Sequence, residues 1–147
     1  MKRNIIASIV VAFVVSVVSV VPALAQQAGP ELIDEAVNAY NKQDMTYFEN
    51  HLAEDVVWMD EDGHAISGKS TVVGFIRTQL TASPARTLTA SNVRVGSTAD
   101  AAWATFAYTI EGGDELIEGL NTTVFRRAGN EWEVVVVHGA MNAAGHH

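Results

Sequence analysis

The 147-residue chain contains no cysteine. No disulfide can brace it and no thiolate can serve as nucleophile or metal ligand, so its stability rests on core packing. Basic residues are scarce: nine Lys and Arg stand against seventeen Asp and Glu, a formal net charge of −8. That balance repels phosphate backbones and anionic lipid, which argues against nucleic acid and membrane surfaces as partners. Internal repeats and low-complexity runs are lacking too. No serine sits in a G-x-S-x-G elbow, and Gly112-Gly113 is a hairpin tip with no following helix to cradle phosphate. The nearest thing to a metal-ligating collection is His51, Glu54, Asp60, Asp62 and His64, which has no recognised ligand spacing. Neither a metal nor a cofactor is expected.

What is present begins with an N-terminal leader. Met1-Lys2-Arg3 is basic, Ile5–Val21 is almost wholly apolar, and Ala23-Leu24-Ala25 has the small-residue spacing of a cleavage site. Residues 1–25 therefore read as a secretory signal peptide, with Gln26 first in the mature chain and a periplasmic or secreted location. An uncleaved anchor is the alternative, but the apolar run is near the short end of what a spanning helix needs. Cleavage would remove Lys2 and Arg3, moving the net charge from −8 to −10 and leaving 122 of the 147 residues. That is enough for a single domain, 26–147, with one sizeable core.

Pro30 suits the start of a helix, and Leu32, Ile33, Ala36, Val37 and Tyr40 follow helical spacing. Asp44 is a plausible N-cap for a second short helix, with Met45, Phe48 and Leu52 as its apolar stripe. A short strand, Asp55–Asp60, and an acidic turn at Gly63 lead to a third helix over Lys69–Leu80. From Arg86 the period becomes alternating, and Thr87–Val95, Ala101–Ile110, Glu115–Arg126 and Trp132–Met141 read as four strands joined by tight turns. Helices first and an antiparallel meander last is the α+β pattern. Within the first strand Asp60 shares a side with Val56 and Trp58, since strand side chains alternate. A carboxyl group in line with apolar neighbours is either the start of a solvated acidic turn or a chemical group in a pocket.

Four pieces of sequence, in order, carry a resemblance. They are Ala53-Glu54-Asp55-Val56-Val57-Trp58, Gly63 followed by Ser67-Gly68-Lys69, Thr123–Arg127 running through Gly129 to Trp132, and Val134–His138. From about Glu31 to Met141 the chain resembles the nuclear transport factor 2-like superfamily, which includes the SnoaL-like proteins and ketosteroid isomerase. The resemblance implies a cone-shaped, cystatin-like fold: three N-terminal helices packed on a strongly curved, mixed, mainly antiparallel sheet around an apolar cavity. It also implies a homodimer formed through the outer sheet face.

By the same resemblance, Asp60 falls where ketosteroid isomerase has its general base, and a desolvated carboxylate there suits proton transfer. The isomerase's oxyanion donors are missing, because the matching positions are Ala36, with Tyr40 one turn away, and Asn121 or Thr122. Trp58, Phe75, Phe106 and Tyr108 are the expected cavity lining. Tyr40 and Tyr108 are each either core or a hydroxyl presented to a ligand. His138, in a Trp-x5-His pattern with Trp132, is expected to face outward at an interface, unless a bulge reverses the strand. The resulting expectation is a small apolar molecule with a polar group as ligand, and isomerase, dehydratase or cyclase chemistry at Asp60. The alternative is a non-catalytic binding or assembly module.

Overall fold

The computed structural model describes residues 27–60, 62–82 and 84–142; the signal peptide expected at 1–25 lies outside them. The elements run α1 (Glu31–Asn41), α2 (Met45–His51), β1 (Leu52–Met59), β2 (Ala65–Ser67), α3 (Lys69–Leu80), β3 (Thr87–Ser97), β4 (Ala101–Gly112), β5 (Glu115–Ala128) and β6 (Glu131–Met141). No helix among the described residues is long and apolar enough to cross a membrane. The α+β expectation holds, and α3 has the expected bounds. The first strand begins three residues early: α2 runs straight into β1, with Leu52 already extended at φ −83° and ψ 135°. Leu52 and Ala53 are buried, so hydrophobic contact with the core outweighs the helix's tendency to continue.

The sheet order is β2-β1-β6-β5-β4-β3. The last strand thus inserts between the first strand and the meander, pairing parallel with β1 and antiparallel with β5. The sheet is mixed and does not close. Across β1, β6 and β5, Arg126 ties the three strands on the outer face. Its guanidinium donates to Asp55 at 3.1 and 3.0 Å and to Glu133 at 2.9 and 2.7 Å. All three groups are at least partly exposed, so the network orders the strands more than it stabilises them.

Register breaks bend the sheet. One lies between Ser91 and Arg94 in β3, where Asn92 takes a positive φ of 54°. Another lies where Val124 pairs with Val136 while Phe125 pairs with Val134. Val135 is the extra residue of that bulge, and it resets the faces of β6. Trp132 and Val134 point inward before it, Val137 and Gly139 after it, and His138 shares the outer face with Val136. His138 is outward as expected, whereas Trp132 and Val134, which plain strand alternation would put on the same face, are turned inward by the bulge.

The helices are fastened to the concave side by polar side chains as well as by apolar contact. The Asn41 amide donates to the Leu88 carbonyl at 2.9 Å and accepts from the Leu88 N–H at 2.8 Å, continuing the ladder at the edge of β3. Gln43 donates to the Leu80 carbonyl at 2.8 Å, joining the end of α1 to the end of α3. Asp44 caps α2 by accepting from the Tyr47 N–H. Gly68, at φ +86°, lets the chain turn from β2 into α3 while its N–H donates to Val56 at 2.9 Å.

Two apolar clusters result. One gathers Phe48, Leu52, Val56, Val72, Ile76 and Leu80 under α2 and α3. The other gathers Leu32, Ile33, Ala102, Ala104, Phe125 and Trp132 under α1. Val134 packs against both. Trp132 anchors the second cluster at 4 % exposure, with the Arg127 guanidinium 4.2 Å above its ring. Trp132→Ala should lower the unfolding free energy by about 3–5 kcal/mol in urea titrations. A loss under about 1 kcal/mol would show that the ring is not part of the core.

Candidate functional site

The two clusters do not meet everywhere, and the gap between them is a cavity of about 230 Å³. Its helical wall comes from Ile33, Ala36, Val37 and Tyr40 of α1, from Tyr47, Phe48 and His51 of α2, and from Phe75, Ile76 and Gln79 of α3. The sheet supplies Trp58, Leu88, Phe106, Tyr108, Ile110, Ile117, Asn121, Thr123, Phe125 and Val134, among others, and the segment just before β3 supplies Arg86. All four aromatics expected from the sequence, Trp58, Phe75, Phe106 and Tyr108, are in this wall. Trp58 and Phe75 pack as a tilted pair, with ring centroids 5.5 Å apart. Tyr108 crosses onto Gly119 of the neighbouring strand. A Cβ there would come within 2.6 Å of the Tyr108 hydroxyl oxygen, so the absent side chain is what lets this ring lie down.

Asp60 is not in the wall. β1 ends at Met59, and Asp60 opens the turn that follows. Its Oδ1 accepts from the backbone N–H groups of Asp62 at 3.0 Å and His64 at 2.8 Å, and its own N–H donates to the His64 carbonyl at 2.9 Å. The second oxygen lies 3.4 Å from Nδ1 of His64, on the surface. The carboxylate is thus folded back onto its own turn, as aspartate commonly is at such positions. Desolvation pushes its pKa upward, but the hydrogen bonds from His64 and Asp62 and the nearby His64 ring outweigh that and leave it below the ordinary aspartate value. This corrects the expectation of a raised, pocket-facing base. The reason lies in turn chemistry, which took precedence over strand alternation one residue past the strand end. Asp60, Asp62 and His64 do bring ligand atoms within 4.8 Å of one another, on an exposed turn.

The polar groups that do reach the cavity are others. His51 closes α2, its ring stacked on Tyr47 at 4.1 Å between centroids. Its Nδ1 lies 2.7 Å from the Tyr47 carbonyl oxygen. A carbonyl can only accept, so Nδ1 carries the hydrogen and the neutral ring keeps its lone pair on Nε2. Burial, reinforced by Glu35, pushes the Tyr47 phenol up to about 12, so it stays a hydroxyl at neutral pH. Burial also raises Tyr40, against the pull of Arg86. Asn121 accepts from the Thr123 hydroxyl at 2.8 Å. Ala36 and Asn121 line the cavity where ketosteroid isomerase has its oxyanion donors by resemblance, so the wall carries no acid at either position. His51, Gln79 and Arg86 were not legible as cavity groups, because each is an isolated polar residue brought in by tertiary packing.

The arrangement can hold a small apolar body and offer hydroxyl, imidazole, amide and guanidinium groups to its polar end. The 230 Å³ volume lies just below the roughly 300–1,000 Å³ usual for ligand pockets, which favours a small occupant.

The model of the SnoaL-like domain family matches residues 30–144. No curated protein matches the chain. Among solved structures, a candidate ketosteroid isomerase from Parabacteroides distasonis is 20% identical at a TM-score of 0.68, covering 84% of this chain and 94% of its own. A candidate dehydratase of the nuclear transport factor 2-like family from Streptomyces avermitilis is 22% identical at 0.67, covering 78% and 94%. A candidate calcium/calmodulin-dependent protein kinase type II association domain from Thiobacillus denitrificans is 22% identical at 0.66, covering 78% and 95%. At these identities the likeness shows the cystatin-like fold and leaves activity to the site itself.

Because Asp60 is held below its ordinary value in the folded chain, it stabilises the fold above the unfolded pKa of about 3.9. That contribution is lost as pH falls through the folded value. Asp60→Asn should therefore lower the urea midpoint at pH 6, with the gap to wild type narrowing as the pH approaches 3. A gap independent of pH would contradict this assignment.

Proposed function

The chain belongs to the SnoaL-like domain family, and on that premise we propose that it binds a small, mainly apolar molecule in the cavity between its two cores. The observation that carries this reading is the wall itself. Trp58, Phe75, Phe106 and Tyr108 surround open space instead of filling it, while a few polar groups converge on the same volume. Isomerase or dehydratase names among the structural neighbours are consistent with proton-transfer chemistry in such a cavity. If the bound molecule is turned over, His51 is the acid–base group in position, in place of Asp60, because its imidazole lines the cavity with one nitrogen fixed by a carbonyl.

Intrinsic fluorescence tests the binding. Trp58 is in the wall, whereas Trp103 is on the outer face and Trp132 is buried in the core under α1. A screen of small aromatic and alicyclic ketones, alcohols and acids should yield quenching that disappears in Trp58→Phe and persists in Asp60→Asn. Ligands whose quenching survives Trp58→Phe would sink the cavity reading.

A second reading is favoured by the outer sheet face. Trp103, Leu120 and Leu116 are 47 %, 59 % and 60 % exposed there, beside Val124 and Val136. These apolar side chains alternate on that face with Thr105, Thr122, His138 and Glu118, a mixture that suits an interface, and a second copy of the chain meeting it about a two-fold axis would cover both faces at once. The likeness to an association domain is consistent with assembly through this fold. Light scattering should give a dimer mass at micromolar concentration, and Leu120→Asp should give a monomer with an unchanged circular dichroism spectrum. A monomeric wild type would overturn this reading and leave the cavity reading intact.

A further inference from the structure

Seventeen acidic residues and nine basic ones make this an acidic protein, yet among the described residues no Asp or Glu lines the cavity. One guanidinium does. Arg86, just ahead of β3, is the single Lys or Arg in the wall, and its side chain is 26 % exposed. Nη1 donates to Oε1 of Gln79 at 3.2 Å, and Gln79 is itself a wall residue. Nη2 donates to Oε2 of Glu115 at 3.2 Å, but the Glu115 side chain is 69 % exposed and stands outside the cavity. Tyr40, another polar wall residue, feels burial most, which raises its pKa and keeps the phenol protonated, with the Arg86 charge pulling the other way. One end of the cavity therefore carries a guanidinium, an amide and a phenol, and the one carboxylate that pairs with the guanidinium, Glu115, stands outside the wall.

From this arrangement we infer that the cavity takes a small carboxylic acid with an apolar body, its carboxylate held by Arg86 at the end shared with Gln79 and Tyr40. The inference rests on the cavity-binding reading above and names its ligand class. Arginine's planar fork matches a carboxylate, and a charge-assisted pair inside a low-dielectric cleft is stronger than the same pair in water. The existing Arg86–Glu115 pair is not a competitor of equal rank. An ion pair with one largely hydrated partner contributes little, so an incoming carboxylate can share or replace it at small cost. A single positive charge matches a monoanion, whereas a phosphate monoester would bring a second negative charge with no partner in the wall. Negative charge elsewhere on the protein does not oppose this binding strongly, because exposed charges are screened over about 10 Å at moderate salt.

Calorimetric titration of the full mature chain with 3-phenylpropanoate and with its neutral amide tests the inference. Wild type should prefer the acid by about tenfold or more. Arg86→Met should abolish that preference by weakening the acid far more than the amide, and Arg86→Lys should retain part of it. Glu115→Gln should tighten the acid roughly two- to fivefold without moving the amide. These last two variants keep the inference falsifiable should Arg86→Met fail to fold: an acid-to-amide ratio unchanged in Glu115→Gln and also in Arg86→Lys overturns it. Equal affinity for acid and amide in wild type overturns the anion assignment and leaves the cavity reading standing, as does tighter binding of phenyl phosphate than of the acid. Failure of both probes to bind, together with an empty fluorescence screen, overturns both.

Discussion

The parallel ladder between β1 and β6 is the contact on which the rest of the architecture depends. It joins residues roughly eighty positions apart and is the seam between the helical half of the chain and the antiparallel meander. On the concave side of this seam, Val134 touches both apolar clusters; on the convex side, Arg126 clamps Asp55 and Glu133 across it. Without the ladder, α2, α3 and β1 would have a core and no sheet, and the meander would have a sheet and no lid. The parallel arrangement also fixes which residues of β1 meet the cavity. Trp58 is opposite Val137 on the inner face, while Val57 and Met59 lie opposite Val136 and His138 on the outer one.

The cavity follows from that geometry. A sheet bent by register breaks is concave, and three short helices cannot fill the concavity to native density with side chains alone. Space remains where the α1 cluster and the α2–α3 cluster fall short of each other. Empty apolar space costs stability, and His51, Tyr40, Gln79 and Arg86 stand around it; the proposed ligand would occupy that space. Among the described residues that wall holds Arg86 and no Asp or Glu, although the chain has more acidic than basic residues.

Much of the fold was legible in the sequence because its signals are local. The bounds of α3, the Asp44 cap, the hairpin tips and the α+β order all rest on spacing within a dozen residues. The aromatic wall was legible through the family resemblance, which gave the cavity Trp58 and Phe75 as well as Phe106 and Tyr108 of β4. Two things were not. Val134 to Val137 is a run of four valines, and a run without alternation cannot announce the bulge at Val135. Asp60 follows the alternation of β1 in sequence, but two backbone N–H groups further along the turn claim its carboxylate. The site suffers most from this limit, because His51 and Arg86 are thirty-five residues apart and carry no motif. Only the packing of α2 and the start of β3 against one volume gives them a common role.

The central place of β6 also sets an order of events in time. Every strand of the meander can pair with its chain neighbour as soon as it is made, but β1 has only the three-residue β2 beside it until the last strand exists. The edge of β1 that pairs with β6 therefore stays uncovered until Glu131–Met141 has been synthesised. Long-range closure of this kind slows folding and prolongs the exposure of unpaired edges. A chain stalled or clipped before Glu131 would hold two half-cores with no common strand, and it is in that incomplete form that the protein is most vulnerable to proteases and to aggregation.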